Sequence, residues 1–119
     1  MKKCGIRQTS ETTILRAIQG ALKLEPGLML MRNSVCKRGG YAYGLGPGSA
    51  DLVGLLRGIN GFPSGRFIAL EVKNATGTPS DEQLRWLRSV RMHCGFACIV
   101  RSVAEAREAI ARARKGELQ

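Results

Sequence analysis

The chain has 119 residues, and 44% of them are hydrophobic. This length suits a single domain with one core, which we expect to span residues 1–119. No apolar stretch approaches the length of a membrane span, and no hydrophobic segment follows the first residues. We therefore expect a soluble cytoplasmic protein with no signal peptide and no membrane partner.

Nineteen Lys and Arg residues against nine acids give a net charge of +10. Such an excess favours a polyanion as the partner, and the spread of the basic residues along the chain suits phosphate contacts along DNA. A basic surface that serves only solubility is the alternative.

The predicted elements follow the order αβββαβα, which indicates an α/β fold. The first helix begins at Thr9 or Ser10, either of which can cap it. The expected elements are, in chain order, a helix to about residue 24, a strand at 28–35, a Gly-rich loop at 36–49, strands at 51–56 and 66–73, a helix at 81–93, a strand at 96–101 and a helix at 103–115.

Two acids, Asp51 and Glu71, lie among apolar residues, where a solvated charge is not expected. Alternation along a strand puts Lys73 on the same face as Glu71. The Gly-rich segment between the second and third strands predicts an antiparallel hairpin. If Leu56 pairs with Arg66, Asp51 lies opposite Glu71 with Cβ atoms about 5 Å apart.

Two carboxylates at that separation repel each other unless a positive charge lies between them. Burying one without compensation costs several kcal/mol. A site made only of oxygen ligands suits Mg²⁺ or Mn²⁺. The sequence therefore predicts a divalent cation held by the acid pair.

Two other kinds of site are not expected. The four cysteines contain no Cys-x-x-Cys pair, so we expect reduced structural thiols and no zinc. The segment Gly44–Ser49 matches neither the Gly-x-Gly-x-x-Gly nor the P-loop pattern, so we expect no nucleotide cofactor. Its predicted task is a tight turn that leads the chain into Asp51.

Further motifs surround the acids. They are Glu11 in the first helix, the segment Gly46–Leu52, the segment Thr78–Gln83, Trp86–Leu87 and Gly95. In the sequence, an acid is followed by a hairpin and then by Glu-x-Lys. Together with this order, the motifs resemble the PD-(D/E)xK phosphodiesterase superfamily, and in particular its VRR-NUC branch of small, often phage-encoded nucleases. The resemblance covers residues 11–110. One departure is Ala50, where the family usually has a proline that is structural and not a ligand.

The resemblance implies a restriction-endonuclease-like core in which a mixed sheet is flanked by helices. It also implies that Asp51, Glu71 and the backbone carbonyl of Val72, helped by Glu11, hold one or two Mg²⁺ or Mn²⁺ ions. Without the resemblance, Glu11 is equally well explained as an acid that complements the helix dipole.

The resemblance further implies that Asp51, Glu71, Lys73 and Gln83 are catalytic. Lys73 would position the nucleophile and stabilise charge on the phosphoryl oxygens, and Gln83 would orient water or phosphate. A capping box with Ser80 is sufficient by itself to explain Gln83.

The expected function is that of a metal-dependent, structure-selective endodeoxyribonuclease that hydrolyses phosphodiester bonds. The resemblance implies a homodimer acting on branched DNA, as a Holliday junction resolvase. The alternatives are a flap or single-strand-junction nuclease and a catalytically silent DNA-binding module. Weaker candidates for DNA contact lie in the first strand and at the start of the Gly-rich loop: Arg32, Asn33, Lys37 and Arg38.

Overall fold

A computed structural model describes residues 9–34, 36–38, 41–58 and 65–119. The side chains of residues 9, 10, 36–38 and 41–43 lie outside this description. The described elements are α1 (Thr9–Leu22), β1 (Leu28–Arg32), β2 (Cys36–Arg38), β3 (Tyr41–Tyr43), β4 (Leu52–Arg57), β5 (Gly65–Val72), α2 (Asp81–Met92), β6 (Phe96–Val100) and α3 (Val103–Arg114).

The main sheet contains four strands in the order β1-β4-β5-β6. Its first three strands are antiparallel neighbours, and β6 lies parallel to β5. This arrangement confirms an α/β fold with a mixed sheet flanked by helices. Strands β2 and β3 form a separate antiparallel pair, so the expectation of an irregular loop throughout residues 36–49 is wrong.

The predicted hairpin register is confirmed, because Leu56 pairs with Arg66. The last ladder pair of the hairpin is Leu52 with Leu70. Asp51 therefore lies one residue before β4 and not inside it, which corrects the predicted start of that strand. The connection between the two strands includes residues 59–64, which are outside the described residues.

The two faces of the main sheet carry different helix layers. Helices α1 and α3 pack on one face, where the buried side chains include Ile18, Leu22, Leu56, Ile68, Leu70, Val72, Phe96 and Ile110. Helix α2 packs on the other face, where a smaller cluster contains Ala50, Val53, Ala69, Leu87 and Ala97. Since Ala69 and Glu71 share a face, the acid lies on the α2 side of the sheet.

Most elements end earlier than predicted. The first strand stops at Arg32, and its expected last residue, Val35, is outside the described residues. Ser102 caps α3 by accepting a hydrogen bond from Glu105 N at 3.1 Å. Among the described residues, no helix is both long and apolar enough to cross a membrane.

Candidate active site

The hairpin brings Asp51 to the end of β5. Its Oδ2 accepts a hydrogen bond from Val72 N at 2.8 Å. This bond joins the two strands beyond the last ladder pair. Because Val72 directly follows Glu71, Asp51 and Glu71 are neighbours at one end of the sheet.

A buried amide holds the segment that leads into Asp51. Asn33 is only 8% exposed, and its Nδ2 donates to Ser49 Oγ and to Ala50 O, each at 2.8 Å. Its Oδ1 accepts from Leu45 N at 2.9 Å. Its backbone N–H donates to Asp51 O at 2.7 Å. Four bonds from one residue therefore fix the approach to the first acid.

The Gly-rich segment before Asp51 makes the predicted tight turn. Gly46 and Gly48 have φ angles of +102° and +81°, a region that side chains with a Cβ rarely adopt. Ser49 closes the turn, because its N–H and its hydroxyl both donate to Gly46 O, at 3.2 and 2.6 Å.

Glu71 is the buried centre of the site, with 2% of its surface exposed. Its Oε2 accepts a hydrogen bond from Gln83 Nε2 at 2.9 Å and lies 3.5 Å from Lys73 Nζ. Its Oε1 is buried and has no hydrogen-bond partner among the described residues. Oε2 therefore faces two donors, whereas Oε1 faces none in the described part of the chain, and Asp51 can bond to this carboxyl only when a proton lies between the two acids.

The two acids are difficult to ionise together. Burial, and then the charge of Asp51, raise the pKa of Glu71 to about 8, although Lys73 opposes the rise. Burial also raises the pKa of Asp51, against the hydrogen bond from Val72. In the protein alone, the acid pair therefore retains a proton at neutral pH. A divalent cation between the acids would displace that proton.

Gln83 forms hydrogen bonds both at the start of α2 and with Glu71. Its Oε1 accepts from Ser80 N at 2.9 Å, and Ser80 Oγ accepts from Gln83 N at 3.1 Å, which forms the predicted capping box at the start of α2. Its Nε2 donates to Glu71 Oε2. The cap fixes the amide so that its donor faces the acid.

Glu11 lies near the same end of the sheet but outside the acid pair. A Cβ added to Gly77 would stand 3.0 Å from Glu11 Oε2 and 3.4 Å from Lys73 Cδ, so the two side chains flank one glycine. Within the described ranges, no three His, Cys, Asp or Glu side chains come together as a metal-binding group.

The four DNA-binding candidates have different positions. Arg32 is exposed at the end of β1, and its charge opposes the burial-driven rise in the pKa of Asp51. Asn33 is buried, and its amide is bonded to Ser49 Oγ and to the backbone of Leu45 and Ala50. Lys37 and Arg38 belong to β2, but their side chains lie outside the described residues.

Sequence reasoning missed Arg101, which follows the last residue of β6. Its Nη1 donates to Asn74 O at 2.7 Å and to Gly77 O at 2.8 Å. The available signal was its position, because parallel neighbours such as β5 and β6 end at the same edge of a sheet.

Two of the cysteines have side chains that the structure describes. Cys94 and Cys98 are both free thiols. Burial raises the pKa of Cys98 to about 11, so this thiol stays protonated and unreactive at neutral pH.

No protein-family model matches the chain, and no curated protein matches it. The resemblance to the VRR-NUC nucleases therefore rests on the motifs of this sequence.

Proposed function

We propose that the protein is a metal-dependent endodeoxyribonuclease that hydrolyses phosphodiester bonds in branched DNA. The observation that carries the proposal is the pairing of Asp51 with Glu71, whose buried Oε1 has no partner among the described residues. Lys73 Nζ lies 3.5 Å from the other oxygen of the same carboxylate. An acid pair beside one ammonium group is a suitable arrangement for phosphate chemistry.

The residues present fit Mg²⁺ or Mn²⁺. Asp51, Glu71 and the Val72 carbonyl offer hard oxygen ligands, and Glu11 is a further candidate through one of its oxygens or through water. The uncompensated Glu71 Oε1 and the raised pKa of its carboxyl are what an acid pair lacking its cation should display. A bound cation would polarise the phosphate and lower the pKa of a water molecule.

The chain's own side chains supply the rest of the chemistry. Lys73, held beside Glu71, stabilises negative charge on the phosphoryl oxygens and orients the nucleophile. Gln83 fixes the Glu71 carboxylate through Oε2, which leaves Oε1 for ligation. Exposed Arg32 contributes a phosphate contact next to Asp51.

We also propose that the protein acts as a homodimer through an uncovered apolar face of the sheet. This face comprises Met29, Met31, Leu55 and Phe67, which are 36 to 52% exposed. Met29 pairs with Leu55, and Leu55 with Phe67, so they form one row on the α2 side of the sheet. A contiguous exposed apolar surface of this kind typically binds protein.

A second copy is the partner that suits the face. None of the described strands pairs with the outer edge of β1. Antiparallel pairing of two β1 strands about Leu30 would set Met29 against Met31 of the other copy and Arg32 against Leu28. No like charges meet in that register. A polyanion, in contrast, would find no cation among the four apolar side chains.

The test is cleavage of a labelled four-way junction, a 5′ flap and plain duplex in Mg²⁺ or Mn²⁺, with Glu71→Gln as the control. Paired symmetric cuts in the junction, absent in the variant, support a dimeric Holliday junction resolvase. Cleavage of the flap alone retains the nuclease and rejects the resolvase. Metal-independent binding of DNA without any cleavage would identify a silent binding module instead.

A further inference from the structure

Arg101 links the end of β6 to the turn that follows Lys73. A single nitrogen, Nη1, donates to the carbonyl oxygens of Asn74 and Gly77 at 2.7 and 2.8 Å. The backbone N–H of Arg101 is held in turn by Glu105 Oε1 at 2.8 Å, at the start of α3. The guanidinium group therefore connects a rigid helix terminus to an irregular segment of the chain.

The bridged segment, residues 74–77, borders the candidate active site. It closes on itself through a bond from Gly77 N to Asn74 O at 3.3 Å. Gly77 lies between Glu11 and the alkyl chain of Lys73, where an added Cβ would stand 3.0 Å from Glu11 Oε2 and 3.4 Å from Lys73 Cδ. Displacement of this turn would release two of the side chains that the proposed chemistry requires.

The remaining contacts of the turn are weak. Asn74 Oδ1 accepts from Thr76 N at 3.2 Å, within the turn itself. Lys73 N is bonded to Val100 O at 3.1 Å, which anchors the chain before the turn and not within it. Among the described residues, Arg101 supplies two short bonds that hold the turn to the rest of the protein.

The charge of Arg101 is also not neutralised. Ion pairs among the described residues join Lys73 to Glu71 and Arg114 to Glu25, and neither includes Arg101. Its Nη1 instead meets neutral carbonyl groups. Its positive charge thus lies at the turn 74–77, which follows Lys73.

We propose that Arg101 is a positioning residue, which holds the turn 74–77 against Lys73 and Glu11 and thereby supports turnover more than DNA affinity. The role of Arg101 in holding the turn is inferred from these hydrogen bonds. Its effect on turnover rests on the proposed nuclease function. Arg114 provides a matched control, because its Nη2 similarly ties a remote turn through Glu25 Oε2 at 2.9 Å and Pro26 O at 2.5 Å.

Hydrogen exchange of the full chain tests the structural part without any activity. In Arg101→Met, amides of residues 74–78 should exchange about tenfold faster, while those of residues 24–28 stay unchanged. Arg114→Met should give the reverse pattern. Unchanged exchange at 74–78 in a folded Arg101→Met variant would overturn the proposal. If Arg101→Met does not fold, Arg101→Lys carries the same test, with smaller acceleration expected at the same amides.

Steady-state cleavage of the preferred DNA substrate tests the kinetic part. Arg101→Met should lower kcat about tenfold to a hundredfold with KM nearly unchanged, and Arg101→Lys should recover part of the loss. Arg114→Met should retain kcat. A rise in KM with normal kcat would make Arg101 a DNA-binding residue and overturn the proposal. If the wild-type chain cleaves nothing, the nuclease function fails, and the exchange pattern alone decides whether Arg101 holds the turn.

Discussion

Gln83 donates a 2.9 Å hydrogen bond to Glu71 Oε2, while its own carbonyl oxygen accepts from Ser80 N to cap α2. One side chain thus connects the start of a helix to the buried acid of a neighbouring strand. Because the amide cannot rotate without losing its cap bond, the orientation of Glu71 depends on where α2 begins.

Gln83→Glu separates the two roles. The variant keeps an acceptor for Ser80 N but presents a negative charge in place of the donor to Glu71. We expect cleavage to fall by about tenfold or more, as for other residues that orient metal ligands. Ser80→Ala is the control, since it removes the cap at a cost of about 1 kcal/mol and leaves the Glu71 contact in place. Equal loss of activity in both variants would show that only the helix start matters.

The stability of the metal-free protein should depend on pH through Glu71. Its folded-state pKa of about 8 exceeds its ordinary value of 4.5, so the native state binds the proton more tightly than the unfolded chain. Protonation of Glu71 therefore contributes fully to the free energy of unfolding below about pH 4.5, and this contribution is lost as the pH rises through 8. Urea unfolding in a chelator should therefore give a falling free energy of unfolding from pH 5 to pH 9.

Glu71→Gln is the matched variant for this experiment, because it keeps the size of the side chain and cannot ionise. The free energy of unfolding of this variant should fall much less between pH 5 and pH 9 than that of the wild type. Excess Mg²⁺ should also reduce the decline in the wild-type protein, since a cation favours the ionised form. The same pH slope in both proteins would show that other groups cause it.

Asn33 should be a stability determinant and not a DNA ligand. Asn33→Ala leaves Ala50 O and Leu45 N without their side-chain partners, so we expect a loss of about 2 kcal/mol in the free energy of unfolding. Exposed Ser34 provides the neighbouring control, Ser34→Ala, with a change below about 0.5 kcal/mol. Urea unfolding measures both. A stable Asn33→Ala protein that binds DNA weakly would reverse this assignment.

The uncovered apolar face should control the oligomeric state. Met29→Lys places a charge in the row beside Leu55, where pairing of two β1 strands sets it against Met31 of the other copy. We expect monomers in analytical ultracentrifugation at concentrations where the wild type is a dimer. Leu24→Lys is the control, because Leu24 is 89% exposed and lies outside this face. If wild type and Met29→Lys sediment alike, this face is not part of the dimer interface.

The β4–β5 hairpin of the main sheet could be predicted because strand periodicity and turn residues specify it. Only one register keeps Ile68 and Leu70 in the core and sets Leu56 opposite Arg66. The same alternation places Lys73 beside Glu71, where the structure has their charged atoms 3.5 Å apart. These results follow from local patterns in two strands.

The remaining features depend on contacts between distant parts of the chain. The burial of Asn33 follows from a turn sixteen residues later at Ser49, which no local pattern reveals. Arg101 bonds to carbonyl groups 24 and 27 positions away, and its position after β6 indicates only that it lies at the same edge of the sheet as the end of β5. The β2–β3 pair was missed because its strands are only three residues each and lie within Gly-rich sequence.

The central claim is that Asp51 and Glu71 bind a divalent cation, and Mn²⁺ titration of the metal-free protein followed by electron paramagnetic resonance tests it most directly. We expect the wild type to bind Mn²⁺. Asp51→Asn and Glu71→Gln should each weaken the affinity for Mn²⁺ by about tenfold or more. Glu108→Gln, which removes an exposed acid, is the control and should bind Mn²⁺ as the wild type does. Equal affinity in all four proteins, or no binding by the wild type at millimolar Mn²⁺, would contradict the account.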